Sequence, residues 1–176
     1  MSTIRKEKYE KLLREARKDL LERLGESTWD FIDTLSWFEG GICFYLKEWD
    51  TSNDDVTFNF PYFVIGGLGL DDLLLEDGGQ PAYACIYAKD IKKTGFDLKD
   101  FRKQLLDAGS QLLKDFPKKR DEDDTYPISY NLPEGRSGLS RLLLEDEPGF
   151  VKVLLEHGER LAELAPAITQ ILSKQK

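Results

Sequence analysis

Apolar residues recur at three- and four-residue steps through the start of the chain: Tyr9, Leu12, Leu13, Ala16, Leu20 and Leu24, with charged side chains on the other faces. This spacing predicts an amphipathic helix over residues 3–24, stopped by Gly25. Ser27 or Thr28 is placed to cap a short second helix carrying Trp29, Phe31, Ile32 and Leu35, which Gly40-Gly41 would end. The pattern then turns β-like. Residues 42–46 form an apolar run, residues 56–65 place Phe58, Phe60, Tyr62 and Val64 on one face, and residues 82–88 form a third run. Pro61 inside the second run points to an edge strand or a bulge. Runs joined by turns pair most simply as an antiparallel meander.

The second half has a different rhythm. Asp97 can cap a helix reaching about residue 115, with Leu98, Phe101, Leu105, Leu112 and Leu113 inward. The KKRDEDD segment is a solvated loop, residues 126–132 read as a strand, and residues 136–144 as one helical turn or two. Pro148 opens a final helix as a first-turn proline, and Pro166 should kink or divide it. The expected fold is α+β: an antiparallel sheet of about four strands packed against an N-terminal, a central and a C-terminal helix. No repeat or linker divides the 176 residues, so one domain is expected over 1–176.

Charge sharpens this picture because it is uneven. The formal net charge is -8, yet residues 91–176 carry fifteen basic and fifteen acidic side chains, and residues 1–24 carry eight and five. Residues 25–90 hold only Lys47 and Lys89 against thirteen Asp and Glu, a net of -11. Such a surface does not follow a phosphate backbone, so direct nucleic-acid binding is not expected. It suits a protein partner with a basic surface, and it also serves plain solubility. No run of eighteen apolar residues is present and the N-terminal residues lack the apolar core of a secretory signal, so the expectation is a cytoplasmic protein with no membrane partner. Oligomeric state is left open.

Candidate chemistry is sparse. Two cysteines, Cys43 and Cys85, in strand-like surroundings read as reduced buried thiols, a bridge between adjacent strands being the alternative. With one histidine beside them they do not make a structural zinc site. His157, among Leu154, Leu155 and Leu161, is the histidine a serine or cysteine triad would have to use; a lone helical histidine more commonly packs or faces solvent. Asp50, Asp54 and Asp55 lie in a turn where oxygen ligands can gather a divalent cation, but the spacing is not that of the twelve-residue calcium loop. Asp71-Asp72 and Glu76-Asp77 carry the same ambiguity. The GGLG segment at 66–69 lacks both phosphate-loop and dinucleotide signatures and reads as turn geometry. No cofactor is implied and no catalytic residue is assigned. Trp29, Trp37 and Trp49 cluster with Phe38, Tyr45, Phe58 and Tyr62 in the acidic stretch, where an exposed aromatic would anchor a partner.

The order GGICFYLKEW, a strand-rich stretch, PAYACIYAKD, a helix, YPISYNL and a closing helix resembles the carboxy-terminal region of some PD-(D/E)XK nuclease-superfamily proteins found near phages and restriction systems, over residues 37–172. The nuclease triplet itself is missing: the strand lysine Lys89 is preceded by Tyr87-Ala88, with no acidic member, so no catalytic residue carries over. The resemblance implies a non-nuclease portion standing alone. The expected function is a non-catalytic, acidic protein-binding module, concretely an inhibitor of a nucleic-acid-handling enzyme of immunity, antitoxin or phage counter-defence type. Asp50, Asp54, Asp55, Asp71, Asp72, Glu76 and Asp77 are the expected contacts, with Trp49 as anchor. The alternatives are a divalent-metal-dependent enzyme or nuclease accessory domain, and a small-molecule sensor with a pocket between sheet and helices.

Overall fold

The computed structural model describes residues 6–33, 41–52, 58–75, 81–117 and 123–174. Helix α1 (Lys6–Leu24) follows the predicted amphipathic stripe and buries Tyr9, Leu13, Ala16, Leu20 and Leu21. Each fully buried leucine of this kind stabilises the fold by roughly 1.5–3 kcal/mol relative to leaving it exposed. Five strands follow: β1 (Trp29–Ile32), β2 (Ile42–Leu46), β3 (Tyr62–Gly66), β4 (Tyr83–Tyr87) and β5 (Ile128–Asn131). They pair in chain order, every neighbour antiparallel, as the meander predicts. The helices are α2 (Leu70–Leu74), α3 (Leu98–Ala108), α4 (Gly135–Glu145), α5 (Glu147–Ala162) and α6 (Ala165–Ser173).

The α+β architecture therefore stands, with one strand more than expected. Residues 29–32 are not a helix. They pair with β2 from Trp29 opposite Leu46 to Ile32 opposite Cys43, and the aromatic and β-branched side chains gain more from the sheet than from a short capped helix. Pro61 also needs correction. It lies just before β3, a central strand, where its missing N–H costs the ladder nothing. Pro166 divides the last helix as predicted, into α5 and α6, and occupies the first turn of the second. Asp97 caps α3 by accepting from the backbone N–H of Lys99 and Asp100, at 2.9 and 3.0 Å. The helix ends at Ala108, short of the expected residue 115, and a separate 3₁₀ turn covers Leu112–Asp115.

Register assigns the side chains to two faces. Phe31, Phe44, Phe63 and Ile86 are cross-strand neighbours on one face, with Ile42, Ile65, Ala84 and Tyr130 forming the next row. Against this face lie α1, α5 and α6. The Arg17 guanidinium sits 4.5 Å over the Phe31 ring, and Tyr130 meets His157 of α5. Contact between α1 and α5 is close because Gly158 has no side chain: a Cβ there would come within 2.8 Å of both terminal carbons of Leu20. On the other face Cys43, Val64, Cys85 and Ser129 form one buried row. Because β3 separates β2 from β4, the two cysteine backbones are about 10 Å apart, too far for a disulfide, and both thiols are free. After β3 the chain turns at Gly67, whose φ of +69° and whose approach to Pro81 O (2.6 Å from an added Cβ) both demand glycine.

Candidate functional site

The meander sends β2 out, β3 in and β4 out at the same end of the sheet, since Tyr62 opens β3 opposite Tyr87, which closes β4. At that end the chain makes a 3₁₀ turn over Lys47–Trp49 and another over Lys89–Thr94. Glu48, Asp50 and Asp90 therefore lie at the same end of the sheet. Asp50 is exposed, and its Oδ1 accepts from Ser52 N and Oγ, which closes the polar turn locally. Asp71 and Asp72 are elsewhere: they occupy the first turn of α2, which follows the far end of β3. A five-residue strand separates the two groups by roughly 15 Å, so the expected carboxylates do not form one cluster. Asp54, Asp55, Glu76 and Asp77 lie outside the described residues.

Trp49 is not an exposed anchor. It is buried, with its ring 5.6 Å from Phe63 and 6.4 Å from Trp29. Its Nε1–H donates to Thr169 Oγ1 at 2.8 Å, and Thr169 donates onward to Glu48 Oε1 at 3.0 Å. The large apolar ring gains most in the core, and its single polar atom needs a partner there, so Trp49 fastens the turn after β2 to α6.

Exposed aromatic surface lies instead on the sheet face away from the helices. Tyr62 and Tyr87 are cross-strand neighbours with ring centres 4.9 Å apart, and Tyr126 meets Tyr87 edge-on at 5.5 Å. Tyr45, opposite Asp30, stacks on Phe60 at 4.3 Å. Tyr45, Tyr62 and Tyr87 are half-buried and Tyr126 is exposed. Burial, with the charges of Asp30 and Asp50, raises the Tyr45 phenol; burial first, then Asp90 among the neighbouring charges, raises Tyr62 and Tyr87. All three hydroxyls keep their protons at neutral pH and can both donate and accept. Tyr87, Tyr126 and Asp90 were not singled out from sequence. The period-two spacing of Tyr83, Cys85 and Tyr87 was the signal available for Tyr87.

A hollow of about 340 Å³ opens at the same end of the sheet. Trp49, Phe60, Phe96 and Leu172 supply its apolar wall, and Glu48, Asn59 and four hydroxyl side chains its polar one. A shallower depression runs beside it along α6, past Trp29, Leu46 and Ala165, and shares Glu48 and Thr169 with it.

His157 takes no part in either feature. It is buried, its Nδ1 is 3.0 Å from the Tyr130 hydroxyl and its Nε2 is 3.1 Å from Glu134 Oε2. Burial lowers its pKa, while the Glu134 carboxylate opposes that shift. Both ring nitrogens are used internally, which leaves none to act on a substrate. Among the described residues no group of three or more His, Cys, Asp or Glu side chains is placed to hold a metal ion, and no helix is long and apolar enough to cross a membrane. No protein-family model, curated protein or solved structure matches this chain.

Proposed function

We propose that this chain is a non-catalytic protein-binding module that takes a partner with a basic surface on its tyrosine-lined sheet face. The observation that carries this reading is the belt of Tyr45, Tyr62, Tyr87 and Tyr126, bordered by Asp30, Asp50 and Asp90. Tyrosine supplies large, stiff contact area with a hydrogen-bonding tip, and carboxylates at the border steer and orient a cationic partner. Two of the nearby basic side chains are engaged within the chain: Lys47 donates to Glu26 O, and Lys93 to Asp90 and Phe58 O. The concrete form is an inhibitor of a nucleic-acid-handling enzyme, in which acidic side chains stand where phosphates would. Its resemblance to the non-nuclease part of phage- and restriction-associated proteins supports that direction.

Capture from extracts of the native host tests the reading, using wild-type protein and a variant combining Asp30→Lys, Asp50→Lys and Tyr87→Ala. The wild type should retain a basic protein at low salt and release it as salt rises. The variant, folded by circular dichroism, should not retain it. Equal retention by both would remove this face from the function.

A further inference from the structure

The hollow beside Trp49 has a polar wall with an unusual bias. Four hydroxyl side chains line it, and three already spend their hydrogens internally: Thr94 on Ile91 O at 2.8 Å, Ser173 on Gln170 O at 2.8 Å, and Thr169 on Glu48 at 3.0 Å. Asn59 donates its amide to Thr51 at 3.1 Å, while its Oδ1 is buried with no hydrogen-bond partner. What the wall leaves over is mostly acceptors, the second Glu48 oxygen and the lone pairs of Thr94 and Ser173, against the single Thr51 hydroxyl hydrogen. Among the described residues Glu48 is the only charged one lining the hollow, and no lysine or arginine does. The hollow also meets the last turn of α6 at Leu172 and Ser173, where the helix presents the negative end of its dipole. Facing these groups, Phe96 offers aromatic surface that attracts a cation, with the buried Trp49 and Phe60 behind it.

We propose that this hollow is a binding site for an organic cation bearing N–H donors on a short apolar stem, a primary ammonium or a guanidinium. The stem lies against Phe96 and Leu172, and the head donates to Glu48 and the neighbouring oxygens. A volume of about 340 Å³ suits a ligand of that size. A free metabolite and a lysine or arginine side chain of another protein share this chemistry. The site does not rest on the proposed function, since it uses none of Asp30, Asp50 or Tyr87.

The test is titration of full-length protein with n-butylguanidinium, n-pentylammonium and neutral 1-pentanol, followed at the Trp49 indole N–H by NMR. Both cations should shift that resonance saturably, and pentanol should bind about tenfold more weakly or worse, the loss expected for one charge-assisted hydrogen bond. Glu48→Gln keeps an acceptor for Thr169 and so keeps the fold, which its melting curve checks; it should weaken both cations by about tenfold. Tyr87→Ala should leave their affinity for this hollow close to that of the wild type, which separates failure here from failure of the sheet-face reading. A blocked Gly-Gly-Arg-Gly-Gly peptide distinguishes the sources: tighter binding than butylguanidinium assigns the site to a partner's side chain, and exclusion of the peptide assigns it to a free cation. Pentanol binding as well as the cations, or an unchanged affinity in Glu48→Gln, would overturn the proposal, as would the lack of any saturable shift.

Discussion

Tyr130→Phe removes a core hydroxyl that serves two partners, His157 and Arg160. The hydroxyl donates to the bare Nδ1 of His157, and Nε2–H donates to Glu134, so the imidazole is held neutral in a single tautomer. Removing the hydroxyl keeps the ring and its 5.6 Å edge contact with Phe116, but leaves Nδ1 buried without a donor. An orphaned buried acceptor costs about 1–3 kcal/mol. For a chain of this length each kcal/mol lowers Tm by roughly 2–4 °C, so a fall of roughly 2–12 °C is expected near pH 8. The pH dependence is equally specific. Burial holds the folded His157 pKa below its ordinary value of about 6.5, so its contribution is complete above that pH and is lost as pH falls through it toward the lower folded value. In the variant burial and the Arg160 charge still disfavour a proton on the imidazole, but no hydroxyl favours a bare Nδ1, so the pKa should rise and the stability gap to the wild type should narrow in acid. Thermal melts across pH, with NMR titration of the single histidine, measure both quantities on one sample. A Tm within about a degree of the parent at pH 8, together with an unchanged titration, would refute this account of the network.

Gly67→Ala combines a left-handed φ with a backbone clash at Pro81, and should cost about 2 kcal/mol or more in chemical denaturation, whereas an alanine at Gly95, with φ of +88° and open space around it, should cost only the conformational part of about 1 kcal/mol. Asp97→Ala removes the cap of α3 and should lose about 1 kcal/mol, with Asp97→Ser recovering most of it. Thiol reagents should modify neither cysteine in the native protein and both in denaturant, because the two are buried and burial pushes the Cys43 thiol up to about 12. Rapid native labelling of either would contradict the buried row on the sheet.

Elements with a strong local period were legible in the sequence. The α1 stripe, the Asp97 cap and the division at Pro166 each follow from residues close together in the chain. Strand β1 was not legible, because four residues after a Ser-Thr pair satisfy a helix cap as well as a strand, and only pairing with Leu46 and Phe44 decides between them. The candidate site was harder still. Trp49, expected as an outward anchor, is buried, since its partner Thr169 lies 120 positions away on α6. The acidic residues share a stretch of sequence but not a place, because β3 carries Asp71 and Asp72 to the opposite end from Asp50. Their count fixed a charge and left its geometry to the register of the sheet.

The close seat of Leu20 on Gly158 has a consequence for biosynthesis. Helix α1 leaves the ribosome well before α5, yet its apolar stripe has its main partner there. Until residues 147–162 emerge, α1 has its smaller contact with β1 but lacks its main partner, including the Gly158 seat of Leu20, and the high sequence separation of that contact slows its formation. Helix α1, made well before α5, is thus among the last to be secured. A ribosome stalled before α5 would present an amphipathic helix to chaperones, which makes nascent α1 the segment to watch for co-translational capture.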